Sequence, residues 1–368
     1  MPRAHAPSRP PAPAGPVRPL VVTADERLLD DLLRLAAAAG VDVDVADDAG
    51  SALACWAAAP LVLVGTDLVG PLCGAAPPRR RAVALVGADL DDASVWQRAV
   101  ELGAEHVLFL PDAEPWLVER LADAAEGPEG ESVVVGVVGG RGGAGASVLA
   151  TALALTSGRR GSPTTLVDAD PLGGGLDLVL GAEDCHGLRW QDLAHTRGRV
   201  AGTALREALP HVSGLTLLAW DRGEGLTLPA EAARTVLEAV RRTSELVVVD
   251  LPRRLDPAVE ELLSLCTTTL LVVPAEIRAV AAAGRVAAGL GLMTSDLRLV
   301  VRGPSPGGLG PDEVARVLGV PLAAHLRPEP GLTEALEQGR PPGGSGRGPL
   351  AGVCGDLLDQ LVTARGAA

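Results

Sequence analysis

Apolar and polar positions along the chain fall into two successive series of strand-like and helix-like segments. In the first series, short apolar runs at 20–23, 61–64, 82–86 and 107–110, with an aspartate-alternating run at 41–45, read as strands. Between them, 27–39 carries Leu28, Leu29, Leu32, Leu33 and Leu35 at helical spacing and stops at Gly40. Helices at 51–59 (stopped by Pro60), 93–102 and 114–125 complete the alternation. Five strands interleaved with helices over 18–125 predict a doubly wound, flavodoxin-like parallel sheet.

The second series opens with the apolar run VVVGVVG from Val133 and a glycine-rich turn, then a helix from the end of that turn to about Ser157. Strands follow at 164–167, 215–219, 245–249, 269–273 and 297–301, the last clear one. Helices fall at 230–242, 259–266 and 279–290, with short ones at 333–338 and 357–364. The Pro/Gly/Arg stretch 339–349 reads as a mobile loop. A polar Gly/Pro segment, EGPEGES at 126–132, separates the two series. The resulting organisation is a disordered Pro/Ala tail at 1–17, a first α/β domain at 18–125, a linker at 126–132 and a second, larger α/β domain at 133–368.

Composition narrows the function classes. The 368 residues include 45 Gly, 30 Pro, no Tyr and one Phe, and neither Lys nor Asn occurs, so all 32 basic residues are Arg. That bias points to a GC-rich genome. A formal net charge of −14 repels nucleic acid and anionic lipid, so no nucleic-acid partner is expected. The densest basic run, Arg79, Arg80 and Arg81 after Pro77-Pro78, reads as a solvated loop. Five scattered cysteines (Cys55, Cys73, Cys185, Cys266, Cys354) without C-x-x-C spacing fit a reducing, cytoplasmic setting. No apolar run is long enough for an integral membrane segment, and the N-terminal tail has no apolar stretch of signal-peptide type.

The candidate chemistry centres on Gly140-Arg141-Gly142-Gly143-Ala144-Gly145-Ala146-Ser147. Strand, glycine turn and helix start together aim backbone N–H groups and a helix N-terminus at a phosphate. In the phosphate-loop pattern G-x-x-x-x-G-K-[ST] the lysine position holds Ala146. Asp168 and Asp170 follow one strand and Asp250 follows another. Carboxylates at the ends of adjacent parallel strands converge beside such a loop, where a hard cation takes oxygen ligands. Two readings stand side by side: glycine amides and Arg141 hold a nucleotide with Mg2+, or the glycines only satisfy a tight strand-to-helix turn. His186, His195 and His211 share no metal-ligand spacing, and Trp190 and Trp220 read as core or interface residues. The 357–364 helix has acidic flanks, unlike a basic membrane anchor, and reads as core-packing.

The first domain resembles the receiver domains of two-component signalling. The resemblance implies an acidic pair after the first strand, here Asp25 and Glu26, and a phosphate-accepting Asp after the third. Gly65 stands at that acceptor position, Asp67 two residues later, and Leu110-Pro111 replaces the Lys-Pro after the fifth strand. A pseudo-receiver used for interaction or dimerisation is expected, and phosphorylation of Asp67 is not. The second domain resembles the deviant Walker A ATPases, the P-loop NTPases that include MinD, ParA and the pilus-associated CpaE/TadZ proteins. By that resemblance Arg141 occupies the signature-lysine position, and Ser147 matches the Mg2+-binding hydroxyl. Asp250 matches the Walker B aspartate, Asp168 supports the metal region, and Asp170 orients attacking water. Val300-Val301-Arg302-Gly303 stands where the family commonly has an Asn-Arg pair that reads adenine. The two-domain order resembles the actinobacterial CpaE-like group that includes the septum site-determining protein. This implies a homodimeric spatial regulator of cell division or of Tad pilus or secretion assembly, recruited to the septum or pole through partners. ATP and Mg2+ are its implied ligands, and without the loop lysine efficient ATPase activity is not expected; a slow ATP-hydrolysing switch is the alternative, and a DNA-partitioning ParA-like role is disfavoured by the acidity.

Overall fold

The computed structural model describes residues 18–87, 94–125, 132–223 and 227–365; the expected tail at 1–17 and positions 126–131 of the expected linker lie outside them. The chain divides into two units, Met1–Glu129 and Gly130–Ala368.

In the first unit, β1 (Leu20–Val22), β2 (Asp44–Ala46), β3 (Val62–Gly65), β4 (Val83–Gly87) and β5 (His106–Phe109) form one sheet in the order β2-β1-β3-β4-β5. Every neighbouring pair is parallel. Alternate residues serve opposite faces: Leu20, Val22, Val62 and Val64 pack with Trp56 and Leu72, while Val21, Leu63 and Val86 pack with Leu32, Leu117 and Leu121. Burial on both faces is why these strands are apolar at successive positions. The helix Glu26–Ala38 is capped by Asp25, whose carboxylate accepts the N–H groups of Arg27 and Leu28. A helix absent from the sequence reading, Val69–Ala75, lies between β3 and β4; Gly70, Pro71 and Gly74 hide its periodicity. Arg80, expected in a solvated run, is half-buried and donates to the carbonyls of Trp56 and Ala59 at the end of the helix Ala49–Trp56. There it satisfies carbonyls that a helix terminus leaves open.

The second unit contains β6 (Val133–Gly139), β7 (Thr164–Asp168), β8 (His211–Val212), β9 (Leu215–Leu218), β10 (Leu246–Leu251), β11 (Thr268–Pro274), β12 (Leu297–Arg302) and β13 (Leu322–Leu326). Their order is β13-β12-β11-β6-β10-β7-β9-β8, parallel throughout except for the antiparallel β8–β9 pair. Val134 and Val138 of β6 face one core with the helices Ala230–Arg242 and Ile277–Leu290. Val135 and Val137 face the other, with the helix Ala146–Arg159. The connections change direction around β6 and β10, so the loop after β6 opens at the switch point where ligands bind in open α/β sheets.

Several elements extend the sequence reading. β13 adds a parallel strand beyond β12, reached through the helix Pro311–Leu318. The helices Trp190–Leu193 and Gly202–Ala208 fill the segment before β8. The final helix runs over Pro349–Arg365, longer than 357–364, and its Leu350, Cys354, Leu357, Leu358 and Leu361 are buried in the same core as the helix Ala146–Arg159. Residues 339–349, expected as a mobile loop, fold as turns: Gly339 O blocks any side chain at Gly181, and Gly343 lies against Ala152. Among the described residues no helix is long and apolar enough to cross a membrane.

Candidate functional site

The glycine turn is shaped by two constraints, one of packing and one of backbone conformation. A Cβ on Gly140 would sit 2.7 Å from the Ala283 Cβ and 3.0 Å from the Val273 Cγ2, so only glycine lets the helix Ile277–Leu290 approach the end of β6. Gly145 has φ +98°, in the left-handed region, and turns the chain into the helix Ala146–Arg159. That helix has no side-chain cap, so its first N–H groups and its dipole face an open turn in which Gly142 and Gly143 are exposed. Such an N-terminus is the backbone half of an anion site. Ala144 is buried, and Ala146, on the first turn of the helix, contributes no charge.

The carboxylates converge as the sheet order requires. β10 lies between β6 and β7, and Asp250 is the register partner of Asp168. Both are buried, 4% and 2% exposed. The Ser147 hydroxyl faces the Asp250 carboxylate. Burial pushes Asp250 up to about 7, with the Asp170 charge adding to the rise and Ser147 opposing it. Burial likewise pushes Asp168 up to about 7, helped by the Asp250 charge and opposed by N–H groups of Leu176 and Asp170. Those two N–H groups donate to Asp168 at 3.0 and 3.1 Å, closing the 168–176 turn, and Trp190 Nε1 donates to its carbonyl at 2.7 Å. Asp170 is half-buried, and its Oδ1 accepts the Leu172 N–H at 3.1 Å.

The donor set of Ser147, Asp250 and Asp168 is all oxygen and carries the negative charge a hard cation would relieve, which suits Mg2+. Among the described residues no group of three or more His, Cys, Asp or Glu side chains could hold a metal. A cation here would therefore complete its shell with water and phosphate oxygens. Trp190 and Trp220 are core residues, 0% and 7% exposed.

Arg141 is already engaged: its NH2 group lies 2.9 Å from both carboxylate oxygens of Glu276. No sequence pattern marks Glu276 as a site residue, because it precedes the helix Ile277–Leu290 and meets the loop only through the placement of β11 beside β6. Arg302, at the end of β12, also reaches the loop at Gly145.

In the first unit the receiver-like site is filled by its own residues. Asp67 accepts from Thr23 Oγ1 at 2.9 Å and from Ala24 N–H at 2.7 Å. Its carboxylate occupies the space that a side chain at Gly65 would need. Asp25, expected as part of an acidic pair, is instead the cap of the helix Glu26–Ala38.

Residues 22–132 match the family described as Rv3660c-like, CheY-like N-terminal domain. Two Mycobacterium tuberculosis proteins, MT3760 of strain CDC 1551 and Rv3660c of strain H37Rv, are each 43% identical over 322 residues, covering 86% of this chain and 90% of theirs. The chain belongs to the Rv3660c family. Solved structures extend the likeness at the level of fold. A ParA family ATPase from Chlorobium tepidum superposes with TM-score 0.56 at 18% identity over 63% of this chain and 99% of its own. The septum site-determining protein MinD of Pyrococcus horikoshii, complexed with Mg-ADP, gives 0.55 at 18% over 64% and 98%. MinD in the Aquifex aeolicus MinC:MinD cell division complex gives 0.54 at 22% over 63% and 96%. This member of the Rv3660c family thus joins a CheY-like unit to a P-loop NTPase fold of the MinD/ParA kind.

Proposed function

We propose that this chain is a CpaE-like spatial regulator of the MinD/ParA type that holds ATP with Mg2+ without hydrolysing it appreciably, and acts as a homodimer that docks protein partners. One observation carries the reading. Ser147 faces a buried Asp250 paired in register with Asp168, beside an uncapped helix N-terminus, an arrangement that supports reading this as the metal-binding half of a phosphate site whose loop lysine is missing. In this reading the 140–147 backbone cradles the phosphates, Ser147 and Asp250 hold Mg2+ with Asp168 in support, and Asp170 orients water. Bound Mg2+ supplies charge neutralisation at the phosphate oxygens. Removing a group aimed at developing charge costs about 2.7–4 kcal/mol of transition-state stabilisation, so Ala146 should slow hydrolysis by roughly two to three orders of magnitude while affecting ground-state binding less. The CheY-like unit serves as a pseudo-receiver for interaction, consistent with the internally bonded Asp67. The biological task in this reading is septum-site determination or the positioning of a Tad-type pilus or secretion assembly, from the cytoplasm, with recruitment to septum or pole by partners.

The test is a calorimetric titration of the full chain with ATP and Mg2+, paired with phosphate release. Binding without turnover, lost in Asp250→Ala, supports the reading. Measurable phosphate release that Asp170→Asn abolishes would replace it with a hydrolysing switch, and no binding at millimolar ATP would leave a nucleotide-free scaffold. Depletion with imaging of septa and of pili separates the two biological tasks.

A further inference from the structure

We infer that Arg302 is the cation that stands in for the lysine missing at Ala146, and that it forks onto the phosphates of a nucleotide cradled by residues 140–147. The inference rests on the nucleotide-binding reading above and names the residue that supplies its counter-charge.

A phosphate chain placed beside Asp168, Asp170 and Asp250 needs positive charge beyond a helix terminus and one divalent ion. Arg141, Arg253 and Arg302 lie near the turn. Arg141 is neutralised by Glu276. Arg253 is exposed, and its NH2 group lies 3.6 Å from where a Gly142 Cβ would be. Arg302 differs from both. Its NH1 and Cδ lie 3.5 and 3.7 Å from the Cβ position of Gly145, the residue immediately before Ala146. Its Nε, like that of Arg141, is buried with no hydrogen-bond partner. Unlike Arg141 with its Glu276, Arg302 has no carboxylate ion-paired with its guanidinium among the described residues. A buried, unsatisfied N–H on a permanent cation is costly unless a ligand completes it, and the site beside it is built for an anion.

The fold fixes the approach. Arg302 is the last residue of β12; its carbonyl accepts the Ala275 N–H at 2.9 Å, and its backbone is held between Pro274 of β11 and Leu326 of β13. The side chain crosses the end of β11 to reach the turn after β6. A loop lysine would rise from the first turn of the helix as a point charge. Arg302 comes from two strands away as a planar fork, suited to two phosphate oxygens at once. Glycine is required at 145 by the positive φ; a Cβ there would meet Arg302 only at ordinary contact distance.

The test compares Mg2+-containing titrations of ATP, ADP and AMP against the full-length chain, with thermal melting as a folding control. Wild type should bind ATP and ADP more tightly than AMP. Arg302→Ala should weaken ATP and ADP by roughly 10- to 100-fold, the range of a hydrogen bond to a charged group, and AMP by less than about threefold. Ala146→Lys should recover at least about tenfold of that loss in the Arg302→Ala background, yet gain less than about threefold when Arg302 is intact, because the two cations serve one role. Arg302→Lys, which keeps stem and charge, provides the comparison if the alanine variant melts early, and should retain the ATP-over-AMP preference in part. Arg253→Ala should leave the ladder unchanged. An Arg302→Ala profile identical to wild type overturns the inference, as does an equal loss for all three nucleotides, which would place Arg302 on the shared base, ribose or α-phosphate and not on the β- and γ-phosphates that the missing lysine would reach. Wild type binding none of the three would instead overturn the nucleotide reading itself.

Discussion

Replacing Asp250 with Asn should stabilise the ligand-free second unit at pH 8. Asp250 is 4% exposed and its acid titrates at about 7 in the folded chain, against an ordinary value of 3.8. Below pH 4 it is protonated in both folded and unfolded states and carries no ionisation penalty. Between about pH 4 and 7 the unfolded chain ionises while the folded chain holds the proton, so stability falls as pH rises, by about 1.4 kcal/mol per unit and per group. Above 7 the loss levels off near 4 kcal/mol, the product of that slope and a rise of roughly three units. Asparagine removes this term but weakens the contact with Ser147, a loss of about 1–2 kcal/mol. A net gain of about 2 kcal/mol remains, or several degrees in Tm for a unit of this size. Asp168, raised partly by the Asp250 charge, should also titrate lower in the variant. Scanning calorimetry at pH 5 and pH 8, in chelator, reads both the gain and the shallower pH slope. Wild-type stability that stays level between pH 5 and 8, or an Asp250→Asn variant that melts below wild type at pH 8, would refute the reasoning.

Two further substitutions probe the packing arguments. Gly140→Ala would drive a methyl group into Ala283 and Val273, and overpacking of this kind should cost about 1–3 kcal/mol by denaturant unfolding; unchanged stability would mean that the helix Ile277–Leu290 yields freely. Asp67→Ala should destabilise the first unit by about 1 kcal/mol, mainly through the part-buried Thr23 bond because the Ala24 donor is exposed to water, and intact-mass measurement after acetyl phosphate treatment should find no phosphate on the wild type, whereas an adduct at Asp67 would contradict the pseudo-receiver reading.

The sequence carried the fold where burial on two faces made strands continuously apolar, as in Val133–Gly139 and Leu246–Leu251. It failed where that signal fades. β13 reads LAAHL, is partly exposed along most of its length, and follows a Gly/Pro-rich segment, so nothing local marks it. The final helix exceeds the expected 357–364 because Gly352 and Gly355 interrupt its apolar rhythm, although Leu350 and Cys354 are buried. The site divides in the same way. The glycine turn, Ser147, Asp168 and Asp250 sit at strand ends that local pattern identifies. The bond between Arg141 and Glu276 and the reach of Arg302 depend on β11 and β12 lying next to β6 in that order, which pairing alone decides. The sequence shows Arg302 at a strand end, but not the direction of its side chain.

The two units depart from their families' charge patterns in ways that differ physically. In the first, the acceptor position is Gly65, Leu110 stands for the lysine, and Asp67 closes the space with bonds to Thr23 and Ala24, so the polar groups there satisfy one another. In the second, Ala146 stands for the lysine, yet its surroundings have not closed in the same way. The helix Ala146–Arg159 keeps an uncapped N-terminus, two buried carboxylates remain side by side at the cost of raised proton affinity, and the Arg302 Nε is buried without a partner. Each of these features destabilises the ligand-free chain. Hydrophobic replacement of either carboxylate would relieve that cost locally. Unsatisfied groups of opposite sign on opposite sides of one glycine turn have a common remedy, a ligand that presents a divalent cation to the carboxylates and phosphate oxygens to the helix terminus and the guanidinium. That distinction, between a site closed by its own hydrogen bonds and one left open at an energetic cost, favours a bound Mg2+-nucleotide in the second unit over a fold kept only for its surface.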